Sequence, residues 1–290
     1  MNSSSQRPFS IRIFLPHGSP DGVRIVTKSN WTGCGIVCPR PLFTQAKSRE
    51  EFYHTGVYVL IGPSEDVDLP TIYIGEGNPV RPRLEQHYAN KDFWTWAVLF
   101  VSKDLSLNKA HVQYLEARLV DIAQNTRRAK LENHNSPQIP TLSEAETADA
   151  ESFLADMLSI FPLLGLNAFE SVPQADEHQS ILQIQSKGIT AHGHESAQGF
   201  VVLNDSEAIG KEVPSIHRYL SSLRQELINQ DVLVLNSDRF VFAQDYVFNS
   251  PSTAAGVVLG RTANGRTEWK DDQGRELKQL QEDSTKMPED

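Results

Sequence analysis

The chain has 290 residues, of which 39% are hydrophobic, and it carries a formal net charge of −10. Its two cysteines give no disulfide framework, and its length accommodates two modest domains. The longest uninterrupted apolar run, Trp96 to Val101, is too short to cross a bilayer, and the first ten residues lack the charged-then-apolar order of a secretory signal. We therefore expect a cytoplasmic protein with no membrane partner.

The charge is unevenly distributed along the chain. Between residues 71 and 130, nine lysines and arginines outnumber six aspartates and glutamates, which gives a local net charge of +3. Because salt screens charges beyond roughly 8 Å, the charge near a site matters more than the total. This segment therefore permits phosphate binding, but the composition argues against a strongly basic protein that coats nucleic acid.

Residues 1–50 have the pattern of a β extension. Ile11 to Leu15 and Val23 to Thr27 are typical of two strands joined by a turn, and Arg40 to Phe52 follows as a connecting segment or short helix. A piece of this size is too small for a core of its own. We therefore expect it to pack on the domain that follows.

Two short apolar strands come next, at residues 56–62 and 71–77. Side chains alternate between the two faces of a strand, so Tyr58 and Tyr73 can point to one face of a hairpin while the aliphatic residues fill the other. Gly75 leaves room for a backbone or a phosphate to come close.

A helix that carries arginine and histidine is predicted directly after the second strand. Asn78-Pro79 is a favourable start, because proline is tolerated in the first turn. Arg83 and His87 are four residues apart and project from one side of this helix, whereas Arg81 is out of phase with His87. The run from Phe93 to Val101 then predicts a third strand.

The following helix begins near Asn108, and Glu116 lies inside its apolar stripe. A carboxylate on an inward face is costly unless it is paired or binds a metal. Glu116 is therefore either a functional carboxylate or a residue at the edge of the stripe, paired with Arg118 or Lys109. The apolar members of the stripe are Val112, Leu115, Leu119, Val120 and Ala123.

These residues, in this order, resemble the signature of the GIY-YIG nuclease family. Gly56-Val57-Tyr58 and Tyr73-Ile74-Gly75 are similar to its two tripeptides, with valine in place of isoleucine in the first. The family has an arginine ten positions after the second tyrosine and a histidine or tyrosine four further on, as Arg83 and His87 are here. It also has a glutamate on a later helix, which Glu116 matches.

The resemblance implies a metal-dependent endonuclease that hydrolyses phosphodiester bonds in DNA. Glu116 would bind a divalent cation, Mg²⁺ or alternatively Mn²⁺, and Arg83 would hold a phosphate oxygen. Tyr58 would activate or orient the attacking water, and to act as a base it needs nearby cations that lower its pKa from about 10. Tyr73 would support Tyr58 or bind phosphate, and His87 would assist proton transfer or contact the nucleic-acid backbone.

Three further residues are candidates for substrate binding. They are Gly75, for the close approach that it allows, Arg81, as an alternative to Arg83, and Asn133, which is similar to a family asparagine downstream of the glutamate. The implied partner is double-stranded DNA, and RNA is left open. No platform for stacking single-stranded bases is evident, since the aromatic residues at 93–96 read as part of the third strand. The oligomeric state is not indicated.

The C-terminal half has its own pattern. Residues 143–165 resemble the family's helical extension, and residues 171–195 read as a polar linker. Within residues 196–275, the Ser250-Pro251-Ser252 to Trp269 segment resembles a domain of unknown function found at the C-terminus of some GIY-YIG proteins, and modules associated with restriction and adenine-methylase enzymes. Residues 250–255, with the sequence SPSTAA, either cap a helix and supply small residues for packing or contact a ligand. The charged tail, 276–290, is expected to be disordered.

Together these patterns predict an α+β protein. We expect a GIY-YIG-like core at residues 51–170 with a small three-stranded antiparallel sheet flanked by helices, the N-terminal β extension packed on it, and a separate small α+β domain at 196–275. A second hypothesis stays open, in which the nuclease-like core docks on DNA or on a partner without cutting. The acidic balance favours that alternative, and the presence of Arg83 and Glu116 argues against it.

Overall fold

The computed structural model describes residues 8–64, 69–175 and 179–285. The chain divides into two compact units, the first formed by residues 1–64 and 69–170 and the second containing the chain from residue 171 onward. Both units combine helices with largely antiparallel sheets, β5 and β7 being a parallel pair, so the predicted mixed α+β class is confirmed. Within the described ranges, no helix combines the length and apolar character that a membrane crossing requires.

The first unit is built on one sheet, and its described elements are as follows in chain order. The strands are β1 (Ile11–Phe14), β2 (Arg24–Lys28), β3 (Gly33–Pro39), β4 (Gly56–Gly62), β5 (Thr71–Gly77), β6 (Trp96–Ser102) and β7 (Lys130–Leu131). The helices are α1 (Phe43–Ala46), α2 (Arg81–Asn90), α3 (Lys109–Thr126) and α4 (Glu144–Ile160).

The sheet is larger than predicted. Its strand order is β1-β2-β3-β6-β4-β5-β7, so the expected trio of β4, β5 and β6 forms only part of a seven-stranded sheet. The prediction of three strands was wrong because the N-terminal extension does more than pack on the core. Its strand β3 pairs along its whole length with β6, from Gly33 opposite Ser102 to Pro39 opposite Trp96.

Both faces of the sheet are covered, because strand side chains alternate between two apolar clusters. From β4, Val57, Val59 and Ile61 join the cluster on the side of α3 and α4. Tyr58 and Leu60 join the opposite cluster, which includes residues of α1 and α2. The predicted apolar stripe of α3 is buried throughout. The alternation predicted from the sequence is therefore confirmed.

The second unit contains two antiparallel sheets, with strand orders β14-β10-β9-β8 and β11-β13-β12. The strands are β8 (Leu182–Ser186), β9 (Ile189–Ser196), β10 (Gly199–Val202), β11 (Glu207–Ile209), β12 (Leu233–Asn236), β13 (Arg239–Phe242) and β14 (Tyr246–Phe248). The helices are α5 (Arg218–Asn229), α6 (Pro251–Leu259), α7 (Gly265–Glu268) and α8 (Leu277–Ser284).

Two boundary predictions for this unit were wrong. Residues 171–195 were expected to be a linker, but β8 and most of β9 lie there and pair with each other along their length. Residues 276–290 were expected to be disordered, but α8 occupies 277–284 behind a capping box. Leu277 is buried, so apolar contact anchors this polar segment. Residues 286–290 lie outside the described part of the chain.

The SPSTAA segment works as a helix cap and as core packing. Ser250 Oγ accepts a hydrogen bond of 3.1 Å from the Thr253 backbone N–H, which caps α6. Ala254 and Ala255 are fully buried, and the indole N–H of Trp269 donates to the Pro251 carbonyl at 3.1 Å. The observed contacts support the first of the two interpretations of this motif.

Replacing the cap tests this assignment. Ser250→Ala removes the acceptor for the first turn of α6, and we expect it to destabilise the second unit by about 1 kcal/mol. Scanning calorimetry of the full chain, together with hydrogen exchange at the start of α6, measures the effect. The control is Ser180→Ala, which changes an exposed serine. Equal melting curves for both variants would contradict the capping role.

Candidate active site

The site is positioned by the free edge of β5. Strand β7 pairs with β5 only at Thr71 and Ile72. The Asn133 side chain then continues the pairing by one residue, since its Oδ1 accepts from the Ile74 N–H at 2.9 Å and its Nδ2 donates to the Ile74 carbonyl at 2.8 Å. Beyond Ile74, none of the described strands pairs with this edge. Side chains from both faces of the sheet can therefore meet there.

The three residues predicted to bind substrate have other partners. Both polar groups of Asn133 are engaged by the main chain of β5. Arg81 donates to Glu85 at 3.1 Å and to the hydroxyl of Tyr53. Both residues therefore support the fold around the site rather than project into it.

Gly75 is explained by Tyr58. A Cβ at residue 75 would lie only 2.6 Å from Cζ of the Tyr58 ring and would overlap its hydroxyl. The room that glycine leaves is thus filled by a phenol of the protein. Gly75 sets the position of Tyr58, and the predicted space for a phosphate at this residue is occupied.

Tyr58 and His87 form a buried pair. Tyr58 Oη and His87 Nε2 share a hydrogen bond of 2.9 Å. Tyr58 has no exposed surface and His87 is 7% exposed. The ring of Tyr73 lies 4.7 Å from the His87 ring, centroid to centroid, and is only partly buried. Of the two tyrosines, Tyr73 is therefore the one that solvent and a ligand can reach.

Tyr58 and His87 are both electrically neutral near pH 7. Burial raises the pKa of Tyr58 and of Tyr73, and the Arg83 guanidinium beside them only partly offsets that effect. The lowered pKa that Tyr58 would need to act as a base is therefore not observed. Burial, followed by the charges of Arg83 and Lys91, lowers the pKa of His87 to about 4.

Arg83 supplies an accessible cation. It lies in the first turn of α2, its side chain is exposed, and its described hydrogen-bond partner is Gln86, at 3.3 Å. Its guanidinium is near both tyrosine hydroxyls. A planar fork of N–H donors in this position suits an anionic oxygen.

Glu116 approaches the same edge from α3 and is partly buried. The alternative in which it pairs with Arg118 or Lys109 is not observed, because Arg118 pairs with Glu151 and Lys109 pairs with Glu76. Among the described residues, Glu116 has no ion pair.

The charges around Glu116 oppose its ionisation. Burial, and then the nearby carboxylate of Glu76, raise its pKa to about 7, while Lys109 and Arg83 act in the opposite direction. Like charges that are held close together raise the pKa of an acid. The site thus holds more negative charge on this side than Lys109 alone can balance.

Glu76 also bears on cation binding. Its Oε2 is buried and has no hydrogen-bond partner, while Oε1 accepts from Lys109. The described residues contain no cluster of three or more histidine, cysteine or acidic side chains. Two carboxylates still fit Mg²⁺, which is commonly held by one or two carboxylates with waters and phosphate completing its shell. The donors of Glu76 and Glu116 therefore suit such a cation.

The five residues predicted to be catalytic, Tyr58, Tyr73, Arg83, His87 and Glu116, lie around one edge. Sequence reasoning missed Glu76 and Lys91, and it considered Lys109 only as an alternative partner of Glu116. Glu76 directly follows Tyr-Ile-Gly, a position that could have drawn attention to it. Lys91 directly follows a helix as many surface lysines do, and the sequence alone gives no signal that sets it apart.

Comparisons with known proteins bear on the second unit. Residues 182–281 match the model of a domain of unknown function (DUF4357), which covers about a third of the chain. The match begins at β8, before the predicted domain boundary at residue 196. No curated protein and no solved structure matches the chain. The chain is therefore similar to this domain family over its second unit.

The cost of burying Glu116 gives a pH-dependent prediction. Its carboxyl group titrates near 4.5 when unfolded and at about 7 when folded. Folding is therefore unaffected below pH 4.5, penalised increasingly between these values, and fully penalised above them. Glu116→Gln removes the penalty, and we expect a stability gain of about 1–2 kcal/mol above neutral pH, after allowance for solvent screening.

Urea denaturation with EDTA present, repeated across this pH range, measures the gain. Glu144→Gln changes an exposed glutamate and is the matched control. A gain that is equal at acidic and alkaline pH would show that the charge of Glu116 is not the cause.

Proposed function

We propose that the first unit is a metal-dependent nuclease of the GIY-YIG type that hydrolyses phosphodiester bonds in DNA. The observation that carries this proposal is the meeting of Tyr73, Arg83 and Glu116 at the free edge of β5, over the Tyr58–His87 pair. Phosphodiester hydrolysis requires a bound phosphoryl group, neutralised charge on its oxygens and an oriented water. Each of these tasks has a suitable residue here.

Substrate binding falls to the exposed cation and the carboxylates. Arg83 holds a non-bridging oxygen of the scissile phosphate with its forked N–H donors. Glu116, with Glu76 beside it, would hold a divalent cation, and that ion would supply charge neutralisation at the phosphate and at the leaving oxygen. With that ion, the two carboxylates would gain the counter-charge that Lys109 alone does not give.

The aromatic residues orient the reacting groups. Tyr73, which is only partly buried, places its hydroxyl towards the attacking water or the phosphate. Tyr58 and His87 are buried, and the His87 ring packs against the Tyr73 ring. The pair thereby supports Tyr73 and keeps water away from that side of its ring. Because Tyr58 and His87 are both neutral, they add no charge that would repel a phosphate. We assign Tyr58 a positioning role.

Removing the proposed cation ligand tests the activity. If the cation stabilises the transition state, Glu116→Ala should lower the rate of plasmid nicking in Mg²⁺ or Mn²⁺ by at least ~10²–10³-fold. Gel electrophoresis of supercoiled, nicked and linear DNA measures this rate. Glu144→Ala, an exposed change on α4, should cut at the parental rate.

Equal rates for the parent and Glu116→Ala would rule out the nuclease. Salt-sensitive binding to DNA without cleavage in any divalent cation would instead support the non-catalytic reader. Assays on single-stranded DNA and RNA in parallel would identify the preferred substrate.

The two tyrosines should separate stability from rate. Tyr73→Phe removes a hydroxyl at a solvent-facing position and should reduce kcat by roughly 10²-fold with little change in melting temperature. Tyr58→Phe leaves the buried Nε2 of His87 without its partner and should also destabilise the unit by about 1–3 kcal/mol. Single-turnover cleavage and calorimetry measure the two effects. A stable, fully active Tyr73→Phe protein would contradict the role of its hydroxyl.

A further inference from the structure

A second cation faces the site from the far end of α2. Lys91 directly follows this helix, and its Nζ lies 4.6 Å from the centroid of the Tyr73 ring. Lys91 has no ion pair with a carboxylate in the described ranges of the chain, whereas Lys109 is paired with Glu76. An ammonium held over an aromatic ring, without a carboxylate partner, is available to an anion.

The backbone of Lys91 is fixed from two sides. Its N–H donates to the His87 carbonyl at 2.9 Å. Its carbonyl accepts from Nη1 of Arg40, and Nη2 of the same guanidinium donates to the Tyr88 carbonyl at 3.1 Å. Arg40 follows β3, so the N-terminal extension anchors the end of α2. Lys91 is therefore directed over Tyr73 from a rigid backbone.

Arg83 and Lys91 approach Tyr73 from opposite ends of the same helix. At 1.5 Å per residue, their Cα atoms are separated by roughly 12 Å along the helix axis. Arg83 lies near the Tyr73 hydroxyl, whereas the Lys91 Nζ lies over the ring, so the two cations meet a ligand from different sides of this tyrosine. A chain of linked phosphates offers each cation its own group, with Arg83 as the bidentate ligand and Lys91 as a point charge.

We propose that Lys91 binds the phosphate next to the one held by Arg83, so that the substrate is a polymer of consecutive phosphodiesters rather than a single phosphodiester. This inference rests on the proposed function, because it assigns Arg83 to the scissile phosphate. Lys91 is then a substrate-positioning residue that sets the direction in which the nucleic-acid strand leaves the site along α2.

The salt dependence of binding tests this proposal. In a Glu116→Gln background with EDTA, which prevents cleavage, a fluorescein-labelled DNA duplex is titrated at several NaCl concentrations and followed by anisotropy. Lys91→Met keeps a long, unbranched side chain and removes one charge. Since each neutralised phosphate contributes about 0.9 to the slope of log K against log salt, we expect the slope to fall by about that amount.

Two controls separate charge from packing. Lys91→Arg keeps a cation and should retain most of the slope. Lys103→Met removes the same charge from an exposed lysine of the first unit and should leave the slope at the parental value. An unchanged slope for Lys91→Met, with cleavage by the otherwise parental enzyme intact, would overturn the role of Lys91 alone. Failure of the parent to bind any nucleic acid would overturn it together with the proposed function.

Discussion

The site depends on the point along β5 where pairing with β7 ends and the outer edge of β5 becomes free. A sheet normally keeps the residues of its two faces apart, because consecutive side chains point in opposite directions. Tyr58 and Tyr73 belong to the α2 face, whereas Glu116 comes from α3 on the other side. Since pairing on the outer edge of β5 stops at Ile74, while β4 pairs with the other edge along its whole length, groups from both faces reach around the free edge. Asn133 marks the end of that pairing, so its contribution to the site is to define where the edge becomes free.

Burial and charge at this edge oppose stability. An uncharged phenol and imidazole are packed beneath an exposed guanidinium, and two carboxylates lie close together with a single lysine paired to one of them. Burying a carboxylate near another one costs free energy unless a cation compensates. Such a cost is expected where a protein keeps groups ready for a ligand instead of satisfying them internally. The same logic applies to Lys91, which has an aromatic neighbour where a surface lysine often has an acidic one.

The N-terminal extension contributes more than coverage of the core. Its strand β3 pairs with β6 over seven residues, and Arg40, just after that strand, donates to the carbonyl of Tyr88 in the last turn of α2 and to that of Lys91 directly after it. A short piece without its own core thereby fixes the helix that carries Arg83 and His87. In the second unit, by contrast, the conspicuous SPSTAA segment is accounted for by a helix cap and by buried alanines.

Local periodicity determined much of what the sequence could predict. Alternation along β4 and β5 identified which side chains share a face, and a four-residue spacing put Arg83 and His87 on one side of a helix. The apolar stripe of α3 identified Glu116 as a carboxylate among inward-facing apolar residues. Contacts between distant segments were decided only by the tertiary structure. The seven-stranded sheet, the filling of the Gly75 space by Tyr58, and the placement of Glu76 beside Lys109 and of Lys91 beside Tyr73 depend on residues far apart in the chain. No short-range pattern encodes such contacts, because they arise only when the packed sheet brings its edge and its flanking helices together.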